Sequence, residues 1–475
     1  MKTASTLTVL ILGMLAGCRS TQTIGESGTY GDFPAVSSQV FTDPGVRPVG
    51  YLDDPDTNKQ LLEAVEPPEL AEAAEQADGD LQLAELEQLA LANNPSLAGA
   101  AAEIEALRGK WLQAGLPPNP VVGYTAAEIG NEGAAGQQGI FFGQESIRGG
   151  KLSLSQSVVA QEIETAIRVL SAQEQRVMTD VQLGYFDYLV SLRRLALAGE
   201  LVEISKRAVR DTRELLQKGE LRKAELYRAE AESATLVILL KNARNQKETT
   251  WKRLAMVVGD PQLAAPELDP TTVKGKLDEA VAVNINRDES IERLLSESPE
   301  IAATETNVER ARQAIERANV EGVPNLNTQL SVQYDTATGH TVTGLQFGWP
   351  IPYYNWNQGG IHQAQSELVA AERAVDQVGL GLQRRFELVF QRYANARNQV
   401  EEYSKDEGIL AKTKEMLRLT TLGYKSGEAN SLDMLTAQRL YTQANLSHLE
   451  AVRELSAAAI EIKGLLLKDS DQERP

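Results

Sequence analysis

Apolar residues stepping by three and four over very long stretches constrain this chain more than any other feature of its sequence. Ile361, Ala364, Leu368, Ala371, Val375, Val378, Leu382, Phe386, Val389, Tyr393, Ala396, Val400 and Tyr403 follow that spacing. It places them on one stripe of an α-helix, the seam of a coiled coil. Val159, Ile163, Ala166, Leu170, Val177, Val181, Tyr188, Leu192 and Leu195 repeat the stripe nearer the amino terminus. Each predicted helix covers roughly 65 residues and, at about 1.5 Å per residue, extends roughly 100 Å. No compact globular domain has that dimension. With 42% hydrophobic but only 5% aromatic residues, the composition also suits long helices better than one thick core. Gly379 and Gly381 interrupt the second stripe. They mark the expected place of a bend, because glycine costs about 1 kcal/mol relative to alanine in a helix interior. Shorter helices, predicted at 81–115, 222–258, 289–319 and 431–467, are expected to stack end to end and match the long ones in length.

Between the seams the period changes to two. Leu326, Thr328, Leu330, Val332 and Tyr334 alternate with Asn327, Gln329, Ser331, Gln333 and Asp335. After small residues at 336–339 the alternation resumes with Thr341, Thr343, Leu345, Phe347 and Trp349. This predicts a hairpin of two-faced strands, stopped by Pro350 and Pro352, which have no backbone donor for a ladder. Trp349, Tyr353, Tyr354 and Trp356 crowd its exit. Opposite polarity on two faces, with an aromatic girdle at one end, suits lipid outside and water inside. Taken alone, the hairpin better fits a soluble protein that half-buries it; its flanks reverse that preference. Past the amino terminus there is no run of about 18 apolar residues, which leaves a β-barrel as the way for this chain to span a bilayer. A formal net charge of -19 argues against a nucleic-acid partner, whose phosphates it would repel.

The chain states its plan twice. Asn94-Pro95 and Asn119-Pro120 are separated as Ser298-Pro299 and Val323-Pro324 are. A strand-rich segment then ends in Gly149-Gly150 or Gly359-Gly360, a long helix follows, and a tip reads Gln217-Lys218-Gly219-Glu220 or Lys425-Ser426-Gly427-Glu428. Glu225 with Ala229-Glu230 and Asp433 with Ala437-Gln438 sit at equal offsets beyond the tip glycines. A duplication follows: a first repeat over 81–258, a loop-rich linker with Pro261, Pro266 and Pro270 over 259–288, a second repeat over 289–467, and a charged tail over 468–475. Two strands per repeat make four, too few to close, since membrane barrels begin at about eight. Copies of the chain must therefore share one barrel. Eight strands would about fill with side chains whereas twelve leave a water-filled lumen, so transport favours three copies.

At the amino terminus Lys2 and an apolar stretch over 7–15 lead to Leu15-Ala16-Gly17-Cys18. This is an export signal, 1–17. Its ending resembles the lipobox of bacterial lipoproteins, which makes Cys18 a lipid-attachment residue carrying a covalent acyl group; an ordinary signal followed by an incidental cysteine is the alternative. Cys18 is the one cysteine, so neither an internal disulfide nor a multi-cysteine metal site can form. Arg19, rather than an inner-membrane retention Asp, favours outer-membrane sorting by analogy with that family. Residues 18–80 read as an extended strap from the anchor.

Taken together, the repeated Pro-strands-Gly-helix plan, the segment from Leu83 to Pro95, the exit Trp349-Pro350-Ile351-Pro352 and the tip from Leu422 to Glu428 resemble the outer membrane efflux protein (TolC) family over nearly all of the mature chain. The segment Gln144-Glu145-Ser146-Ile147-Arg148-Gly149-Gly150-Lys151-Leu152 is more similar to the heavy-metal, cobalt-zinc-cadmium branch than to the drug branch. The resemblance implies a mainly α fold with a small transmembrane β part: a long α-helical barrel plus four strands per protomer in a shared twelve-stranded, trimeric β-barrel. It implies a homotrimeric exit duct in the outer membrane, reaching into the periplasm, served by a periplasmic adaptor and an inner-membrane pump. No cofactor beyond the lipid and no catalysis are implied.

Carried over residue by residue, Tyr424 and Asp433 match a gating tyrosine and an acidic ring position at the periplasmic entrance, and Glu225 is the first-repeat equivalent of Asp433. Ala429 and Thr436 stand where well-known members have an Arg and an Asp, so their closing network is not carried over. Gly219, Glu220, Gly427 and Glu428 are the expected adaptor-contact tips. An acidic ring would favour cations; exposed polar positions on surface helices are the plainer reading of Asp433 and Glu225. His340, His362 and His448 show no metal-ligand spacing. A periplasmic coiled-coil adaptor is the rival class, but it would carry compact Gly- and Val-rich β-domains between its helices. The exit duct of a protein-secretion system also remains open.

Overall fold

A computed structural model describes residues 83–128, 136–266, 268, 270–282, 284–426 and 428–467, all within one compact unit, 67–475. The export signal, Cys18, the strap, the tail over 468–475 and Gly427 lie outside the described residues.

The first half runs α1 (Leu83–Asn93), α2 (Pro95–Gly115), β1 (Val121–Ala127), β2 (Gln137–Ser146), α3 (Lys151–Gln217) and α4 (Lys223–Val258). After α5 (Pro270–Val281), the second half runs α6 (Arg287–Glu297), α7 (Pro299–Val320), β3 (Leu326–Asp335), β4 (His340–Gly348), α8 (Gln358–Ser404), α9 (Ile409–Ser426) and α10 (Ser431–Lys463). Element order is thus the same in both halves, save that α8 and α9 together stand where the first half has α3. The sequence reading placed one helix over 81–115 and one over 289–319; the structure splits each at its proline. Proline removes a helical donor and disfavours helical angles in the residue before it, so Asn94 and Ser298 are extended and Pro95 and Pro299 begin new helices. The Asn94 side chain accepts from the Ser96 backbone N–H at 2.9 Å, and its amide donates to the Val257 carbonyl at 2.7 Å, fastening this joint to the end of α4.

α3 is continuous for 67 residues. Its counterpart is not. Gly379 and Gly381 do not interrupt α8, which runs through both with open space where a Cβ would stand. The interruption falls instead at 405–408, where Lys405 turns extended and Gly408 packs against backbone. A Cβ on Gly408 would come within 2.7 Å of the Lys405 carbonyl oxygen and 2.8 Å of those of Glu402 and Tyr403.

The seam of α8 is buried as its spacing requires, at Ala364, Ala371, Leu382, Phe386, Val389, Tyr393, Ala396 and Val400. The main core gathers Val177, Val181, Tyr185 and Tyr188 of α3, Trp251 and Leu254 of α4, Leu382 to Val400 of α8 and Leu449 to Ile462 of α10. Each large apolar side chain so buried contributes about 1.5–3 kcal/mol. The stretch over 259–288 also contains a helix that the sequence reading did not place: α5 sends Val273 and Leu277 into this core. Tyr188 donates to the Pro266 carbonyl at 3.1 Å and Trp251 Nε1 to the Leu263 carbonyl at 2.8 Å, which holds the prolines against the core too.

The four strands form one antiparallel sheet in the order β1-β2-β3-β4. Its registers align Val122 with Phe142, Leu330 and Leu345, and Tyr124 with Ile140, Val332 and Thr343. Strand alternation therefore extends the two faces of the hairpin across all four strands.

Candidate functional site: a two-faced sheet and paired helical tips

On one face of the sheet Val122, Tyr124, Ile140, Phe142, Leu330, Val332, Tyr334, Leu345 and Phe347 are all exposed. A contiguous apolar surface of this kind calls for lipid or another protein against it. The opposite face carries Gln137, Asn327, Gln329, Ser331, Gln333 and Gln346 among the glycines 123, 139, 143 and 344. Val121, Phe141 and Val342 are its large apolar exceptions, and the Phe141 ring lies over Gly123, where an added Cβ would stand 2.5 Å from it. Beyond β4, Trp349, Tyr353, Tyr354 and Trp356 are exposed, Tyr354 by 85%. The rings of Tyr353 and Tyr354 meet edge to face at 4.7 Å. Among the described residues β1 and β4 each keep an unpaired edge.

At the first tip α3 ends in a left-handed glycine, Gly219 at φ +80. Its N–H donates to the Leu216 carbonyl, and that of Glu220 to the Leu215 carbonyl at 3.0 Å, which satisfies carbonyls that a helix end leaves open. At the second tip the Glu428 and Ala429 N–H groups share the Gly423 carbonyl at 2.8 and 3.0 Å. Asn430 then caps α10: its side chain accepts from the Asp433 N–H at 2.9 Å, and the Asp433 carboxylate reaches back to the Asn430 N–H at 3.4 Å. Glu220, Glu428 and Asp433 are exposed and Glu225 is half-buried.

Tyr424 is not at the surface of the chain. It is 2% exposed, packed among Ala208, Met434, Leu215, Leu221 and Ala429. Its phenol lies 3.0 Å from Thr212 Oγ1 on α3. Burial holds the phenol above its ordinary pKa and the charges of Glu225 and Asp211 add to this, against the hydrogen bond to Thr212. Beside it Lys425 pairs with Asp211 at 3.1 Å. Farther along, Arg439 reaches Glu232 with Nε and Nη2 at 3.0 and 2.7 Å. The two tips of one chain are thus tied together by three polar contacts, of which sequence reasoning found only the tyrosine. Partners some two hundred positions apart leave no local pattern. Asp433 and Glu225 enter differently: Glu225 acts on Tyr424, while Asp433 serves its own helix cap.

The fold and these sites define a class, a long-helix protein carrying a membrane-type sheet. Residues 290–466 match the family model described as outer membrane efflux protein. The cobalt-zinc-cadmium resistance protein CzcC of Cupriavidus metallidurans is 22% identical over 394 residues, covering 82% of this chain and 91% of that protein. Among solved structures, CusC superposes with a TM-score of 0.65 at 16% identity, over 84% of this chain and 96% of its own. The open state of the Neisseria gonorrhoeae outer membrane channel MtrE does so with 0.59 at 22%, over 81% and 89%. At these identities the structural likenesses show the fold.

Proposed function

We propose that the chain is the outer membrane duct of an efflux system, passing to the exterior what a pump and a periplasmic adaptor deliver, with heavy-metal cations as the substrate class. The sheet carries this reading: an exposed apolar face, a polar opposite face and, among the described residues, two unpaired edges, in a chain whose second half matches the efflux family model. Because the four strands alternate in direction, β4 of one copy runs antiparallel to β1 of the next, so copies can close a barrel without changing the ladder. Three copies give twelve strands and an open lumen. The two halves descend from one duplicated unit. Cys18 carries the lipid anchor, and the tips at Gly219 and Gly427 receive the adaptor. Metal cations are favoured by the kinship with CzcC and by acidic side chains at the tips.

Cells lacking the gene, challenged separately with divalent cobalt, zinc or cadmium, with drugs, and assayed for a secreted protein, test the substrate. Renewed metal tolerance on complementation is expected; rescue confined to drugs or to secretion overturns the metal reading. Outer-membrane fractionation and a heat-sensitive trimer band test the duct itself. Labelled fatty acid should enter the native protein and be lost in Cys18→Ser; a native protein that takes up no label has no anchor there.

A further inference from the structure

The halves share one plan but differ at one joint: α3 is unbroken, whereas its counterpart stops at Ser404 and resumes at Ile409. Facing that joint from α10 is His448. Its Nε2 lies 3.0 Å from the hydroxyl of Ser404, the last residue of α8. The ring also meets Tyr403 edge-on, centroids 5.9 Å apart. Two charges act on the imidazole from other elements, Arg193 on α3 and Asp278 on α5. Arg193 also pairs with Glu200 at 3.5 Å, and on the joint itself Lys405 is engaged with Glu402 at 2.5 Å. A half-buried histidine of α10 therefore holds the end of α8, within the electrostatic reach of charges on α3 and α5, at the place where the long helix has no continuous hydrogen-bond ladder to hold it.

We propose that the break at 405–408 is a proton-responsive joint: neutral His448 pins the end of α8 to α10, and protonation releases the pin so that α9 and its tip shift relative to α8. Whichever ring nitrogen carries the proton when neutral, a second proton puts a full charge into a half-buried position on which the charge of Arg193 already acts. That charge is relieved most cheaply by letting water in, and a helix break opens with fewer lost bonds than a helix interior. Burial, then Arg193, hold the imidazole below its ordinary value, while Asp278 opposes them. Since the folded pKa lies below the unfolded one, the neutral ring's contribution is complete above the unfolded value of about 6.5 and is lost as pH falls toward the folded one. Acid is therefore the releasing direction.

Hydrogen exchange on the full-length assembly tests this without reference to transport, so the joint and the duct reading stand or fall separately. Between about pH 7.5 and about pH 5, after correction for intrinsic rates, peptides spanning 401–412 and 444–452 should exchange several-fold faster, while the core around Tyr188 stays protected. His448→Gln keeps a polar partner for Ser404 but cannot titrate, and should flatten the response. Asp278→Asn should move the midpoint to lower pH and Arg193→Gln to higher pH. A His448→Gln protein that keeps the acid response overturns the joint. So do charge variants that move the midpoint together or not at all, and these decide alone if the histidine variant does not fold.

Discussion

The Thr212 hydroxyl lies 2.8 Å from the Ala208 carbonyl and 3.0 Å from the Tyr424 phenol, and either hydroxyl can be the donor between the two side chains. Because Tyr424 is held neutral above its ordinary range, this tie stays intact throughout the neutral and mildly alkaline region. Tyr424→Phe removes the hydroxyl and leaves the ring in its packing, at a cost of about 1 kcal/mol for one hydrogen bond. Tyr424→Ala would also empty the space among Ala208, Met434 and Leu215 and confuse the two effects. In planar bilayers Tyr424→Phe should enlarge the single-channel current, or raise the fraction of time spent open, without changing trimer yield. Unchanged traces would assign the tyrosine to packing alone. Tyr424 was legible as a candidate from the tip sequence, but its depth was not: burial here depends on α3 and α10 converging, which no neighbouring residue encodes. The ion pair between Arg439 and Glu232 was invisible for the same reason.

At the scale of elements, glycine means different things in different places. Gly219 is at φ +80 with nothing within 4 Å of where a Cβ would stand, so its cost on substitution is conformational, about 1 kcal/mol, and not steric. Gly219→Ala should therefore retain trimer yield and export, whereas Gly219→Trp adds bulk to an exposed tip and should abolish export with trimer yield unchanged. Normal export by the tryptophan variant would remove the first tip from the adaptor's path. The seam of α8 was readable because its stripe is continuous, and the hairpin because its alternation is clean. The helix breaks were less so. Gly379 and Gly381 carry the same intrinsic cost as Gly408, yet helix persists through them, where Leu382 and Phe386 bury the adjoining turn in the core. At 405–408 the side chains of Lys405, Asp406 and Glu407 are exposed, and no such burial compensates. α5 was missed because Pro261, Pro266 and Pro270 punctuate the segment, although Val273 and Leu277 sit one turn apart on its buried side.

For the whole molecule, the acids at the tips matter only if copies come together, since one Asp433 on one chain is merely an exposed cap residue. Around a threefold axis each position occurs three times, and carboxylates gathered at a constriction lower the potential for cations until salt screens them. The capping role of Asp433 makes a clean experiment possible. Asp433→Asn keeps a side-chain oxygen for the Asn430 N–H, and the stronger half of the box, Asn430 accepting from the backbone N–H of residue 433 at 2.9 Å, does not depend on the carboxylate. The loss is then about 0.3–1 kcal/mol of favourable charge at a helix N-terminus, too little to unfold α10. Glu225→Gln likewise preserves shape, and it also removes one of the negative charges that act on the Tyr424 phenol. The native assembly should be cation-selective in a salt gradient, and the double variant should lose most of that preference at low ionic strength and little at high ionic strength, where the preference is already screened. Circular dichroism and trimer yield should be unaltered. If the reversal potential of the double variant equals that of the native protein at low salt, the acids do not face the conducting path, and Asp433 is a helix cap and nothing more.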